Sequence, residues 1–335
     1  MTIRDKKTLS DENILPKQFS LLESKFINEK QSKINEYIDE LNSTVISEEA
    51  DILEDKSKML TMPSKEDANV DFLYQIADSV AISDKFKYTI NDFAKENQIK
   101  LHENFWYLGN LMKHKLQVQI PFGNSGPSYI GSDKEKKRFS KLNKLYWEII
   151  SYKEYIEYFT YIDNIKFVEL IVSNLGKTYD EDIKLMVPKG CLLKHNNLLY
   201  PGENIIEEIQ EIELDEFLFK IKESDSVDAY AYFQIIPSNI ERININPLIA
   251  YTTRPGYEDQ KYNYQNSLEH IFIYKNFTNS EFDILRFGIE YLKHNSSMAF
   301  PSILMFENVP QTIEYEITSK YIPDVVKGKI HLKID

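Results

Sequence analysis

The chain changes its hydrophobic period near residue 164: before it apolar positions recur at helical spacing, and after it they alternate. In residues 17–41, KQFSLLESKFINEKQSKINEYIDEL, the side chains of Leu22, Phe26, Ile34, Tyr37, Ile38 and Leu41 fall on one stripe that Lys30 interrupts. A helix of about 25 residues is predicted there. Residues 44–68 are polar and weakly periodic, which reads as short helices or a loop. From Val70 to Met112 apolar residues return, and TINDFAKENQIKLHENFWYLGNLM predicts two short helices, the second carrying Trp106 and Tyr107 into a helical core. Ser132 and Glu135 then stand in the Ser-x-x-Glu capping-box arrangement, followed by Phe139, Leu142, Tyr146, Ile149, Ile156 and Phe159 at near-helical steps. A helix over 133–160, roughly 40 Å long at about 1.5 Å per residue, is predicted as the spine of this half.

Beyond residue 164, Val168, Leu170 and Val172 share a face, as do Ile183, Leu185 and Val187. Leu285, Phe287, Ile289 and Tyr291 alternate, then Ile313, Tyr315 and Ile317 against Glu314 and Glu316, then Ile330, Leu332 and Ile334. Such alternation between Pro, Gly and Asn turns predicts an antiparallel sandwich. An interruption at about 191–282 holds an acidic stretch, two strands around AYAYFQIIP and PLIAYTT, and a Tyr-rich loop, TRPGYEDQKYNYQN. The expected fold is α+β: a mostly helical domain over 1–164, then an elaborated immunoglobulin-like antiparallel β-sandwich over 165–335.

Composition narrows the partners more than the fold. With 42% hydrophobic and 28% charged residues the chain is of globular type, and 22 Tyr and 19 Phe against 10 Gly point to packed elements. A net charge of -13 opposes nonspecific coating of nucleic acid, which needs a positive field to displace counterions. The charge is unevenly laid out. Residues 133–144 carry six positive and two negative side chains, whereas 203–228 carry ten acids and two lysines. Cys191 is the single cysteine, which excludes an internal disulfide framework and fits a reducing, cytoplasmic setting. The N-terminal residues lack an apolar core of signal-peptide length and no apolar run reaches about 18 residues, so a soluble chain without membrane attachment is expected. Heavy Lys, Ile, Asn and Tyr usage suggests an AT-rich bacterial or phage-related source.

The stretch VSNLGKTYDEDIKLMVP sets Asp180, Glu181 and Asp182 between two apolar runs. As a Ca²⁺ loop it fails, because Lys184 and Leu185 stand where an oxygen donor and a glycine are required. Asp182-Ile183-Lys184, with Asp163 upstream, also matches the minimal metal-dependent nuclease element, but the same spacing recurs at Glu54–Lys56 and Glu135–Lys137. Alternation turns Asp182 away from the core, so Asp180 and Asp182 remain only as candidate metal ligands. The framework around them is more telling. A strand ending in Asn174-x-Gly176, an Asp before an alternating strand and Pro188-x-Gly190 resemble the opening hairpin of CARDB-type and related immunoglobulin-like bacterial sandwiches, over about 25 residues and more loosely the final strands. The resemblance implies a recognition or spacing module with no catalytic residues to carry over.

Two stretches are binding candidates. Gly126 to Asp133 nearly matches a phosphate-binding loop, but Ser132 replaces its lysine and Asp133 its Mg²⁺-binding hydroxyl. Gly123, Gly126 and Gly131 nonetheless lead into a helix start bearing Lys134, Lys136, Lys137, Arg138 and Lys141, which suits nucleic acid, a nucleotide or the chain's own acidic stretch. Arg254, Tyr257, Lys261, Tyr262 and Tyr264 of the Tyr-rich loop combine cations with rigid aromatic surface, as recognition patches do. The six histidines show no close metal-binding spacing, Cys191 and His195 are merely near in sequence, and no cofactor is called for. The expected function is a non-enzymatic interaction or adaptor protein, a homo-oligomer or one subunit of a larger bacterial assembly of the phage-defence type. Alternatives are a nucleic-acid or nucleotide sensor using the basic helix start, and an unrecognised metal-dependent nuclease or hydrolase.

Overall fold

The computed structural model describes residues 1–44, 46, 77–114, 129–176, 181–221, 256–289, 292–300, 302–319 and 322–334. Most of the polar 44–68 stretch and both strands expected within 229–253 lie outside them. The first elements are β1 (Thr2–Asp5), β2 (Lys17–Gln18), α1 (Lys25–Ser43), β3 (Ala77–Ser79), α2 (Asp84–Glu96), β4 (Met112–His114), β5 (Tyr129–Ile130) and α3 (Asp133–Asp163). There follow β6 (Lys166–Val168), β7 (Leu170–Asn174), β8 (Glu181–Pro188), α4 (Ile206–Glu211), α5 (Leu214–Phe219) and α6 (Tyr257–Ile271). The last strands are β9 (Lys275–Thr278), β10 (Phe282–Ile289), β11 (Ser296–Ala299), β12 (Leu304–Phe306), β13 (Thr312–Ser319) and β14 (Ile322–His331). This mixture of helix and antiparallel sheet forms two units, Ile27–Lys153 and the combination of Met1–Phe26 with Glu154–Asp335.

In the unit Ile27–Lys153, α1 buries Ile27, Lys30, Ile34, Ile38 and Leu41. Lys30 therefore belongs to the stripe and does not break it. Ser83 caps α2 by accepting from the Phe86 amide at 3.4 Å, and the buried Ile90 and Phe93 of α2 join Ile34, Ile38, Leu142, Leu145 and Ile149 in one core. The second short helix expected after α2 is absent: residues 99–111 run through turns, with Phe105, Leu108 and Leu111 buried. Trp106 packs edge-on against Phe105, ring centroids 4.9 Å apart, so its anchoring role survives without the helix. The capping box at the start of α3 forms as the spacing predicts, with the Ser132 amide donating to Glu135 at 2.7 Å and the Glu135 amide to Ser132 Oγ at 3.3 Å.

The other unit includes the first 26 residues, which the helical pattern had placed with the N-terminal half. The reason is strand pairing. β1 runs antiparallel to β7 from Thr2↔Ser173 to Asp5↔Leu170, and β2 pairs with β6. The Leu21 and Leu22 amides then bond the Asp163 carboxylate at 2.8 and 3.0 Å, so α1 begins at Lys25, later than the stripe alone implied. Its largest sheet has the order β14-β13-β8-β10-β9, all pairings antiparallel. Ile183, Leu185, Val187, Leu285, Phe287, Ile313, Tyr315, Ile317 and Ile330 fill its inner face, the alternation predicted for these strands. Ile3, Leu170, Val172 and Met298 from the sheet β1-β7-β11 enter the same core.

Three expectations change here. β7 and β8 do not form a hairpin: β7 lies between β1 and β11, and β8 between β13 and β10. β7 is buried along its whole length with both neighbours already supplied, so the chain leaves that sheet after Asn174, whose Oδ1 accepts from the Gly176 amide at 2.9 Å. Within the interruption at 191–282, the described residues form a 3-10 turn at His195–Asn197, then α4, α5, α6 and β9, so the Tyr-rich stretch is helix from Tyr257 and not a loop. Ile334, expected on the inner face, lies past the end of β14 and is exposed.

Candidate interaction surface

The basic helix start is two surfaces, not one. Arg138 is 4% exposed. Its Nε donates to the Tyr107 carbonyl at 2.9 Å, Nη1 to those of Leu41 and Thr44 at 2.9 and 2.6 Å, and Nη2 to those of Asn104 and Phe105 at 3.2 and 2.7 Å. A guanidinium has five N–H donors, and all five are spent on backbone carbonyls. Arg138 is a structural clasp between α3, the end of α1 and the 104–107 turn, and not an anion ligand. Lys141 pairs with Glu40. Lys134, Lys136, Lys137 and, one turn on, Lys144 are exposed.

The anion site expected at this helix start is filled from within. Glu135, only 3% exposed, accepts from the amides of Ser132 and Asn110 and from Ser132 Oγ at 3.1 Å. Its carboxylate takes the place of a bound phosphate against free amides at a helix N-terminus. Gly109, at φ +67, lets it in: a Cβ there would lie 2.1 Å from Glu135 Oε1. Gly123 and Gly126 of the near-miss phosphate loop lie outside the described residues.

The supposed Tyr-rich loop is α6. Gln260, Tyr264, Leu268 and Ile271 form its buried stripe, and Glu258 and Asp259 in its first turn suit the positive end of the helix dipole. Both signals stand in the sequence. Tyr264 is wholly buried, bonded hydroxyl to hydroxyl with Tyr158 of α3, and burial pushes both phenol pKa values up. It is core, not contact surface. Beside it Asp215 of α5 accepts from Ser267 Oγ at 2.6 Å and from the Glu216 amide at 3.0 Å, with its carboxyl pKa raised by burial. Arg254 lies outside the described residues.

On the other side of α6, Tyr257 donates its hydroxyl to the Pro201 carbonyl at 2.8 Å. Lys261 Nζ sits 4.5 Å from the Tyr257 ring centre, 5.8 Å from that of Tyr200, and 2.8 Å from Glu258. Cation–π contacts of this kind hold the lysine in place at a surface. Tyr262 projects from the same helix, 68% exposed, among the exposed Glu258, Asp259, Asn263, Glu269 and His270. Thus Tyr257, Lys261 and Tyr262 are brought together at the surface and Tyr264 behind them. Sequence reasoning missed Tyr200, which meets them from a distant loop, and Trp147 of α3. Trp147 is 53% exposed and lies on the side opposite the buried Leu142, Leu145 and Ile149, a placement the helical spacing could have shown.

The acidic triplet acquires no chemistry from its surroundings. Asp180 lies outside the described residues. Asp182 is exposed on β8, and its neighbour on that face, Lys184, donates to Glu316 at 2.9 Å. Asp163, its conjectured partner, holds the two amides that precede α1. Among the described residues no group of three or more His, Cys, Asp and Glu could hold a metal ion, and no helix is long and apolar enough to cross a membrane. His195 stacks on Phe272, ring centroids 5.2 Å apart, and burial lowers its pKa. The nearby polar node is Asp283, which meets Lys194 at 3.1 Å and Thr278 Oγ1 at 2.7 Å and ties the loop after β8 to the β9–β10 turn.

Comparison of the chain with protein-family models, with curated proteins and with solved structures gave no match.

Proposed function

We propose that this chain is a non-enzymatic interaction protein, a homo-oligomer or a subunit of a larger bacterial assembly, with the outer side of α6 as its recognition surface. The observation that carries this reading is Tyr262, 68% exposed on a helix whose opposite side is locked by the buried Tyr264–Tyr158 bond. Large aromatics held rigid at a surface lose little entropy on docking and dominate binding energy at interfaces. The pinned Lys261 beside it adds an oriented charge. Affinity capture from the native host with the full chain, followed by mass spectrometry, tests it. The wild-type chain should retain a stoichiometric protein partner, either another copy or a different chain. Tyr262→Ala combined with Lys261→Ala should lose it at unchanged melting temperature; equal recovery by both forms would refute the assignment.

A nucleic-acid or nucleotide sensor is the second reading, favoured by the exposed Lys134, Lys136, Lys137 and Lys144. It is the weaker one, since Arg138 is consumed by carbonyls and Glu135 fills the helix N-terminus. It requires salt-sensitive oligonucleotide binding that Lys136→Glu with Lys137→Glu abolishes. An unrecognised nuclease or hydrolase finds no support in the placement of Asp182, Lys184 and Asp163. An immunoglobulin-like sandwich of the CARDB type stays a proposal for the unit with the larger sheet, supported by two antiparallel sheets that share one core. A reducing, cytoplasmic compartment is likewise proposed, on the strength of a lone half-buried thiol whose pKa burial raises.

A further inference from the structure

Two helix faces on this chain each set one exposed aromatic among charges, predominantly acidic on α6 and predominantly basic on α3. On α6, Tyr262 stands among Glu258, Asp259 and Glu269, all exposed. On α3, Trp147 stands in line with Lys144, Ser140 and Lys137 at steps of three and four residues, with Lys136 beside them. Lys136, Lys137, Ser140, Lys144 and Trp147 are exposed, while Glu135, Arg138, Leu142, Leu145 and Ile149 on the opposite side are buried. Each face therefore offers one large exposed aromatic within a rim mostly of one sign, acidic on α6 despite the Lys261–Glu258 pair and basic on α3 despite Asp133. An apolar or aromatic centre with a charged rim is the anatomy of a protein interface, and opposite rims give it orientation.

We infer that the partner of the α6 surface is a second copy of this chain, which docks its Lys137–Lys144–Trp147 face of α3 there. The inference rests on α6 being the recognition surface and names its occupant. Charge complementarity decides between occupants. A polyanion such as nucleic acid would satisfy the lysines, but would approach against a net charge of -13 and leave the acidic α6 face unmatched. With a second copy, each contact matches one acidic face with one basic face, and a two-fold pair or a closed ring meets both faces of every chain. The charge budget agrees: Ile27–Lys153 carries 18 Lys and Arg against 20 Asp and Glu, so nearly all the acidic excess lies in the unit that contains α6.

The test is the solution mass of the full chain, by sedimentation or light scattering, across protein concentration at about 50 mM and about 500 mM salt, since screening shortens the reach of surface charges to a few ångströms. The mass should rise above that of one chain with concentration at low salt, and fall back at high salt. Lys137→Glu with Lys144→Glu should leave single chains. So should Asp259→Lys with Glu269→Lys, and mixing the two charge-reversed proteins should restore a complex. Trp147→Ala should weaken association by about thirtyfold, the scale of an interfacial hot spot. Loss of folding cannot imitate this result, because each reversed protein recovers with its complement.

Several outcomes overturn the inference: a single chain at every concentration, a mass that neither reversal changes, failure of the mixed variants to recombine, or oligonucleotide binding that the lysine reversals remove. If the chain stays single while Tyr262→Ala with Lys261→Ala still loses a captured protein, this inference falls and the proposed function stands.

Discussion

Arg138 shows how a residue chosen for its charge is used for its donors. Five backbone carbonyls converge on one guanidinium, so a lysine there would keep the charge but supply only three donors on a flexible stem. Arg138→Lys should lower unfolding stability by roughly 2–4 kcal/mol, through carbonyls left buried and unbonded. Urea denaturation measures it, and a loss below about 0.5 kcal/mol, the scatter of ordinary surface changes, would show the clasp to be incidental. Asp215 carries a pH dependence of definite sign. Burial raises its folded pKa above the ordinary value near 3.8, although the bonds from Ser267 and the Glu216 amide pull it back. Its contribution to stability is thus fully present below the ordinary value and is lost as pH rises through the folded one. Wild type minus Asp215→Asn should fall across that window in urea titrations, and a difference independent of pH would contradict the assignment. Asp283 has the opposite sign. Burial pushes its pKa up, but the bonds from Thr278 and Lys194 and the Lys194 charge outweigh that, so its contribution is lost as pH falls through its depressed folded value.

At the scale of elements, the alternating strands β8, β10, β13 and β14 were legible, whereas β1 to β5, β9, β11 and β12 were not and the helices only partly. Strand alternation is local: once Ile183, Leu185 and Val187 face inward, Lys184 must face out, where it meets Glu316. The ion pairs of that outer face, Lys184–Glu316–Lys327 and Glu314–Lys329, join half-buried to exposed side chains and contribute at most about 1 kcal/mol each. The capping box likewise fixed the start of α3 from four consecutive residues. Residues 257–271 are the instructive miss, since their buried positions follow the helical period while their composition suggests a loop. The two possibilities respond oppositely to proline at an exposed site. Asn263→Pro, in the middle of α6, should cost about 3 kcal/mol or more as it removes a helical hydrogen bond and clashes with the preceding turn. Circular dichroism and urea melts give the answer, and an unchanged midpoint would mean that this segment is not a helix.

At the scale of the molecule, the described residues of Ile27–Lys153 and of the unit with the larger sheet fill different cores, which predicts that unfolding is not a single transition. Ile149→Ala should cost about 2–5 kcal/mol in one step of a denaturant titration and Leu185→Ala a similar amount in another, since each is wholly buried in a different core. If both substitutions shifted one common transition equally, the units would be one cooperative body. The sequence by itself determined the fold class, the inner faces of β8, β10 and β13, the spine helix with its cap, and the segregation of acid from base. These follow from the side-chain period and from contacts a few residues long. Only the tertiary structure decided that residues 1–26 pair with strands far along the chain, that β7 and β8 belong to different sheets, and that Arg138 is interior with its donors spent on carbonyls. Those outcomes depend on which neighbours arrive from a hundred residues away to fill a strand edge or accept a hydrogen bond, and no local pattern of apolar and polar positions encodes that competition.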